Sequence, residues 1–383
     1  MSTNIDNIII VNQQEIITTS IDGYFKNIAI VNRFEDDTLK TGKTFDISGC
    51  EVYESLDAVA EKFPTTHDVY RAARDIFAQK TNTGMNKSAV EKVAVCRIKQ
   101  GDASVEAGLV SIGYADAYHW VYVGTEDSDI ESFVQYCADK RKIPHVQTSK
   151  EEVLTNEKVK VDDDSAQQEV DNIAKKLKDK NAKAVLYYHA LGNEYLNSAM
   201  ASIHAFGVPG RIAGVFDKPT GITKDTLTDA QKSKLDENYV NYYTPYIGQA
   251  GSYQTRVLTA GGFMSNGEEI QQQVIFDRII LNLQSAGMDA LEMKPPYDDR
   301  GGALLEGKLK AVLRQLQNEE LIAADSLADD GTLKKGQTLE VLSRETVKQQ
   351  YPSKFAEKCF VVKATAELAL NAKKVEINLV YQA

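Results

Sequence analysis

Between Tyr24 and Phe216 short apolar runs recur, each followed by a segment of helical periodicity, and this alternation restricts the fold more than any other feature. The runs are Asn27 to Asn32, Lys92 to Arg97, Tyr118 to Val123, His145 to Thr148, Ala184 to His189 and Arg211 to Phe216. Between them, His67 to Gln79 sets Val69, Ala72, Ala73, Ile76 and Phe77 on one stripe, and Ser165 to Lys178 does the same with Val170, Ile173, Ala174 and Leu177. Strand and helix in alternation predict an α/β sheet with helices packed on its faces.

At 383 residues and 43% hydrophobic content, the chain is long enough for two or three domains, each with its own core. The pattern divides it into a strand arm over 1–22, an α/β domain over 23–240 with an exposed outer lobe around 150–183, and an α+β domain over 241–383. In the lobe, Asp162 to Asp164 precede a helix carrying Lys175, Lys176, Lys178 and Lys180, an order that complements the helix dipole on a solvated surface. Two proline loops, Gly207 to Gly210 and Asp217 to Gly221, lead into the tyrosine-rich stretch Asn238 to Tyr253, where the domain boundary is expected.

The last third has a different texture. Ser265-Asn266-Gly267 predicts the turn of a hairpin over Arg256 to Glu269. A helix follows from Ile270 to Ala286, with Ile270, Val274, Ile279 or Ile280 and Leu283 on one side and Gly287 placed to end it. Beyond Pro295-Pro296, Leu305, Leu309, Val312, Leu313 and Leu316 make a second stripe. Both ends carry strand-forming residues: Ile8, Ile9, Ile10 and Val11 near the start, and Val375, Ile377, Leu379 and Tyr381 in an arm over roughly 365–383. An apolar strand left unpaired is an aggregation hazard. Each end therefore either tucks into its own sheet or is donated to a neighbour's.

The chemical inventory is thin. No two glycines stand two apart, which removes the G-x-G-x-x-G loop, and no serine has the glycine spacing of a nucleophile elbow. Gly302 to Lys308 has Walker spacing up to the lysine, but Leu309 replaces the hydroxyl that would hold magnesium and the segment reads as helix. His67, His119, His145, His189 and His204 show no metal-ligand spacing, and Cys50, Cys96, Cys137 and Cys359 are scattered singly, as small buried hydrophobes are. The basic cluster Lys140-Arg141-Lys142 is explained by a helix end. His189, after the run Val185 to Tyr188 and ahead of Asn193 and Glu194, is the one place an α/β enzyme or ligand-binding protein would put catalytic groups. No catalytic, cofactor or metal residue is assigned. The net charge of -11 disfavours DNA as the main partner, Met1 to Asn12 lacks the features of a signal peptide, and the longest apolar stretch, Val274 to Leu283, is interrupted by Asp277 and Arg278. A cytosolic product with neither nucleic-acid nor membrane partners is expected.

Several stretches, in order, resemble the sheath subunits of contractile myovirus tails, in particular a branch of short phage sheath proteins. They are Tyr53-Glu54-Ser55-Leu56 with Phe63, Val69-Tyr70, Ala72-Ala73 and Ile76-Phe77; then His119-Trp120-Val121-Tyr122 with Asp129-Ile130. Next come Phe216 to Ile222 with Leu227-Thr228, Gln231, Leu235 and Asn238-Tyr239, and finally Gly261 to Ile270 with Phe276-Asp277-Arg278. Where that family often has Trp-Leu this chain has Ile279-Ile280, and Glu269 stands at a family aspartate. The resemblance implies a structural virion protein without enzymatic activity or cofactor. It would be assembled in the host cytoplasm as stacked hexameric rings around a tail tube protein, in contact with baseplate and tail terminator proteins, and would contract on host attachment. It also implies that the terminal arms are lent to neighbouring subunits. The helix carrying Lys308, Lys310 and Arg314, basic opposite its apolar stripe, would then face the tube. A tube or baseplate component of the same particle is the other structural alternative.

Overall fold

The computed structural model describes residues 21–79, 90–112, 116–155, 158–159, 168–169, 172–206, 208–248, 251–328 and 330–372. The chain forms two compact units, one from the described residues of Gln13–Pro209 and Gly214–Gln273, the other from those of Gly210–Ala213 and Val274–Ala383.

The first unit runs α1 (Ile21–Lys26), β1 (Ile28–Arg33), β2 (Cys50–Tyr53), α2 (Leu56–Lys62), α3 (Asp68–Phe77), β3 (Val93–Ile98), α4 (Val105–Ile112), β4 (His119–Val123), α5 (Asp127–Asp139) and β5 (Ile143–Thr148). A two-residue ribbon follows, β6 (Lys158–Val159) with β7 (Gln168–Glu169), then α6 (Ile173–Asp179), β8 (Val185–Tyr188), α7 (Leu196–Ala205), α8 (Asp229–Glu237), β9 (Tyr242–Gly248) and β10 (Gly251–Ala260). The main sheet has the order β2-β3-β1-β4-β5-β8. Its inner pairings are all parallel, and β2 closes one edge antiparallel to β3.

Parallel strands carry helices on both faces, so their side chains are apolar on both. Ala29 and Val31 of β1 point into a core shared with Leu109, Phe133 and Leu177 from α4, α5 and α6. Their alternates Ile28 and Ile30 point into a second core with Val69, Ala72, Ala73 and Ile76 of α3 and Ala201 of α7. The stripe expected on His67 to Gln79 is thus the face α3 buries, and His67 starts the helix by accepting the Val69 amide at Nδ1. Burial of each valine, leucine or isoleucine among them stabilises the fold by about 1.5–3 kcal/mol.

Several expectations are corrected. Arg211 to Phe216 is not a strand: Phe216 adopts a left-handed φ of 64°, exposes its ring, and its amide is taken by the Thr259 carbonyl instead of a sheet ladder. The helix expected from Ser165 begins at Ile173, capped by the Asn172 side chain on the Lys175 amide, and it buries Ile173, Ala174 and Leu177 in the core. Lys142 is no helix-end surface cation; it is buried, donates to the Ala117 carbonyl and lies 4.9 Å from the Trp120 ring. β10 pairs with β9, so the Ser265-Asn266-Gly267 turn, with Gly267 at φ 84°, closes only an isolated bridge between Phe263 and Glu269. The first unit also continues past the boundary expected near Val240, because Asn241 forms a parallel bridge with Tyr187 at the outer edge of β8. The Asn241 side-chain amide donates to the Leu186 and Phe263 carbonyls, while its oxygen accepts from the Gly262 and Phe263 amides. Gly261 is required there: its φ is 96° and a Cβ would overlap Asn241 Oδ1.

The second unit takes up α9 (Ile270–Glu292) from Val274 onward, then α10 (Asp299–Asn318), the short strands β11 (Ser326–Leu327) and β12 (Leu333–Lys334), β13 (Gln337–Val341), α11 (Arg344–Gln350), α12 (Pro352–Ala356) and β14 (Val362–Ala366). Gly287 does not end α9. It is buried within the helix, and tertiary burial outweighs the roughly 1 kcal/mol helix cost of glycine. The stop comes at Lys294, left-handed at φ 51° with its amide on the Leu291 carbonyl, followed by Pro295-Pro296. Leu305, Leu309, Leu313 and Leu316 form the buried stripe of α10, whose near-Walker glycines are helical. Arg278 of α9 is buried and ion-paired to Glu319 at 2.8 Å, which locks the end of α10 onto α9.

Two outcomes follow for stability. Asn241→Ala removes the side-chain acceptor of the Gly262 and Phe263 amides and the side-chain donor to the Phe263 carbonyl, and should cost about 2–4 kcal/mol, read as a lowered urea midpoint at unchanged slope. Burial holds the His119 and His145 imidazoles well below pKa 6.5, with His204 and, for His145, His119 adding repulsion. The unfolded chain therefore binds protons that the fold refuses, and stability present above pH 6.5 is lost on acidification by up to about 1.4 kcal/mol per pH unit for each ring. Asp217, pushed up to about 6 by burial, has the opposite sign and offsets one ring between pH 6 and 4. Chemical denaturation at pH 7 and pH 5 should show a clear net loss at pH 5, and equal midpoints would refute it.

Candidate functional site

In open α/β sheets ligands bind outside the carboxyl ends of the strands, at the point where the strand order reverses. The parallel strands here run β3-β1-β4-β5-β8, so that point lies between β1 and β4. Arg33, the last residue of β1, fills it. Its guanidinium donates to the Lys99 and Asp102 carbonyls beyond β3, at 2.9 and 3.1 Å, and pairs with Asp129 of α5 at 3.3 Å. The Tyr122 hydroxyl from β4 donates to the same carboxylate at 2.9 Å. These groups fasten three strand ends to one another, in the space where an enzyme of this topology would admit a ligand.

His189 is fully buried at the end of β8. Its Nδ1 lies 2.9 Å from Asp225 Oδ2 and its Nε2 3.4 Å from Glu194 Oε2. Both carboxylates are engaged elsewhere as well: Asp225 accepts the Ala190 amide, and Glu194 accepts the amide and hydroxyl of Thr223. Asn193, read beside Glu194, contributes its carbonyl to Arg74. The arrangement is a clasp between the β8 end and the 217–228 connection. That connection is also held by Gln79, which exchanges two hydrogen bonds with the backbone of Thr220, and by a capping box in which Thr228 and Gln231 each accept the other's amide. His119, His145 and His204 lie together deeper in the core, with His119 Nδ1 3.0 Å from His145 Nε2. Among the described residues no group of three His, Cys, Asp or Glu has metal-binding geometry, and no helix is long and apolar enough to cross a membrane.

The second unit has a cavity of about 290 Å³ between the start of α10, β13 and α11, with Asp299, Glu306, Arg344 and Phe360 in its wall. Arg344 lies over the Tyr297 and Phe355 rings, and burial pushes the neighbouring Cys359 thiol up, away from the reactive thiolate.

The more open features are backbone edges and one helix face. β13 and β14 pair only with each other among the described residues, in register from Gln337 opposite Ala366 to Val341 opposite Val362. Each strand thus keeps an unpaired edge. Leu339 is buried against the unit while most of the ribbon is exposed. On α10, Lys308 and Arg314 are exposed, whereas Lys310 is drawn into an ion pair with Glu306. The arm residues Ile8, Ile9, Ile10, Val11, Val375, Ile377, Leu379 and Tyr381 lie outside the described residues. Sequence reading assigned no role to Arg33 or Asn241 and gave Asp129 and Arg278 only as positions of resemblance, since each acts through a distant partner that no local spacing signals.

No protein-family profile matches the chain, and no curated protein matches it in sequence. Among solved structures, it is similar to the helical sheath of the anti-feeding prophage (AFP), seen by cryo-EM in its contracted state. The TM-score is 0.59 at 10% identity, and the match covers 97% of this chain and 99% of that one. The chain has the fold of that sheath subunit over essentially its whole length.

Proposed function

We propose that the chain is the sheath subunit of a contractile, phage-type tail, a structural protein that polymerises around a tail tube and contracts to drive the tube through a host envelope. The observation that carries this reading is the two-way coverage of the fold match: both units, and nothing beyond them, correspond to a protein whose described state is a helical sheath. The occupied strand-order crossover and the buried His189 clasp favour it over an α/β enzyme. In this reading the subunits stack as hexameric rings in the virion, meet tube, baseplate and terminator proteins, and are assembled in the host cytoplasm.

Residues 365–369 of the expected carboxy-terminal arm pair within the chain, with β13, Gly336 and 321–323, so the arms that carry the connectivity are 1–22 and the part of 365–383 beyond them. Strands supplied by adjoining subunits complete a sheet through backbone hydrogen bonds, which keep neighbours linked while whole units rotate and slide. The β13–β14 ribbon, whose outer edges have no strand partner among the described residues and whose outward Val341 amide is held only by the Glu306 side chain, suits such addition. Contraction then needs no nucleotide: the extended array is kinetically trapped, and tighter packing between subunits in the contracted array drives the stroke.

Electron micrographs of concentrated protein should show rings or tubes, and a monodisperse monomer would defeat the proposal. Removal of residues 1–12 or 372–383 should abolish long sheaths, and normal sheaths from both truncations would refute strand donation. Reversing charge at Lys308 and Arg314 should weaken association with tube several-fold while leaving the isolated subunit's thermal midpoint within about 2 °C. Unchanged tube association would remove α10 from that interface.

A further inference from the structure

The antiparallel edge of the main sheet places two thiols face to face. Cys50 of β2 stands directly opposite Cys96 of β3, with their sulfurs 3.3 Å apart. The Arg97 amide donates to the Gly49 carbonyl at 2.8 Å, which makes Gly49 and Arg97 the hydrogen-bonded pair of the ladder. Cys50 and Cys96, one step along, are therefore a non-hydrogen-bonded pair. Such pairs hold their Cα atoms about 4.5 Å apart, inside the range a disulfide spans. Cys96 is wholly buried, and Cys50 packs against the same core while remaining half-buried.

We propose that Cys50 and Cys96 form a modification site, a dithiol that closes to a cross-strand disulfide on meeting a small-molecule disulfide oxidant and staples the edge strand β2 to β3. The step balances as thiol–disulfide exchange. Cys50, the accessible partner, loses its proton to solvent and its thiolate attacks one sulfur of the oxidant, whose other half leaves as a thiolate and is protonated. Cys96 then gives up its proton and attacks Cys50 Sγ, expelling the second small thiol. Two protein thiols are oxidised and one disulfide is reduced to two thiols. The contact with Cys50 and burial hold the Cys96 thiol protonated, so Cys50, the accessible partner, begins the exchange and the second step is slow. In reducing cytosol the pair stays open, and outside the cell it closes. The closed loop encloses α2 and α3, which were not cross-linked before. None of this depends on how the chain assembles.

The test uses the full chain, incubated with excess oxidised glutathione, alkylated, digested and mapped by mass spectrometry. The expected product links the Cys50 peptide to the Cys96 peptide, leaves Cys137 and Cys359 alkylated, and raises the thermal midpoint by roughly 5–10 °C, reversibly with dithiothreitol. Cys50→Ser and Cys96→Ser should each abolish both the link and the shift. Glutathione retained on Cys50, two alkylated thiols, or a link without a rise in midpoint would each overturn the staple.

Discussion

A parallel sheet buried on both faces has only its two edges left exposed, and how those edges are closed governs the rest of the first unit. One is closed by β2, which turns antiparallel and brings Cys50 against Cys96. The other is closed by Asn241, whose main chain extends the ladder beyond β8 and whose side chain gathers the Gly261-Gly262 turn. β2 is itself the outermost strand on its side, and among the described residues it pairs only with β3. Two-stranded ribbons whose outer edges have no strand partner among the described residues occur in both units, β9–β10 in the first and β13–β14 in the second.

The inner strands were legible because periodicity is a statement about burial, and burial on two faces leaves an uninterrupted apolar run. Asn27 to Asn32 and Tyr118 to Val123 each fall within one residue of β1 and β4. Reading failed where a single long-range contact overrides local preference. Arg211 to Phe216 has strand-like composition, yet its backbone is spent on turns and on Thr259. Lys142 looks like a surface cation until the Trp120 ring and the Ala117 carbonyl are brought beside it. Gly287 has the identity of a helix stop but is buried within α9.

The candidate site was less legible for a related reason. Periodicity locates faces, whereas an assembly surface is defined by what is missing: an unpaired edge or an uncovered helix face. The stripe on α10 was read correctly, and among the described residues Lys310 is the one of the three basic residues opposite it that is ion-paired, to a glutamate one turn away at a spacing the sequence displays. His189 drew attention as a strand-end histidine, and its two acidic partners lie 5 and 36 residues along the chain. The positions that carried the family resemblance around Thr228 and Gln231 have a local physical cause, the capping box that starts α8.

The connection from Asp217 to Thr228 has almost no regular secondary structure, yet Gln79, Glu194 and His189 reach into it and Asp225 ties back to the Tyr243 carbonyl. Its amides are thus held by fixed side chains where a ladder would otherwise hold them. The segment is thereby tied at several separate points to the chain just beyond β8 and α3, so losing any one of these contacts leaves the others to hold its course.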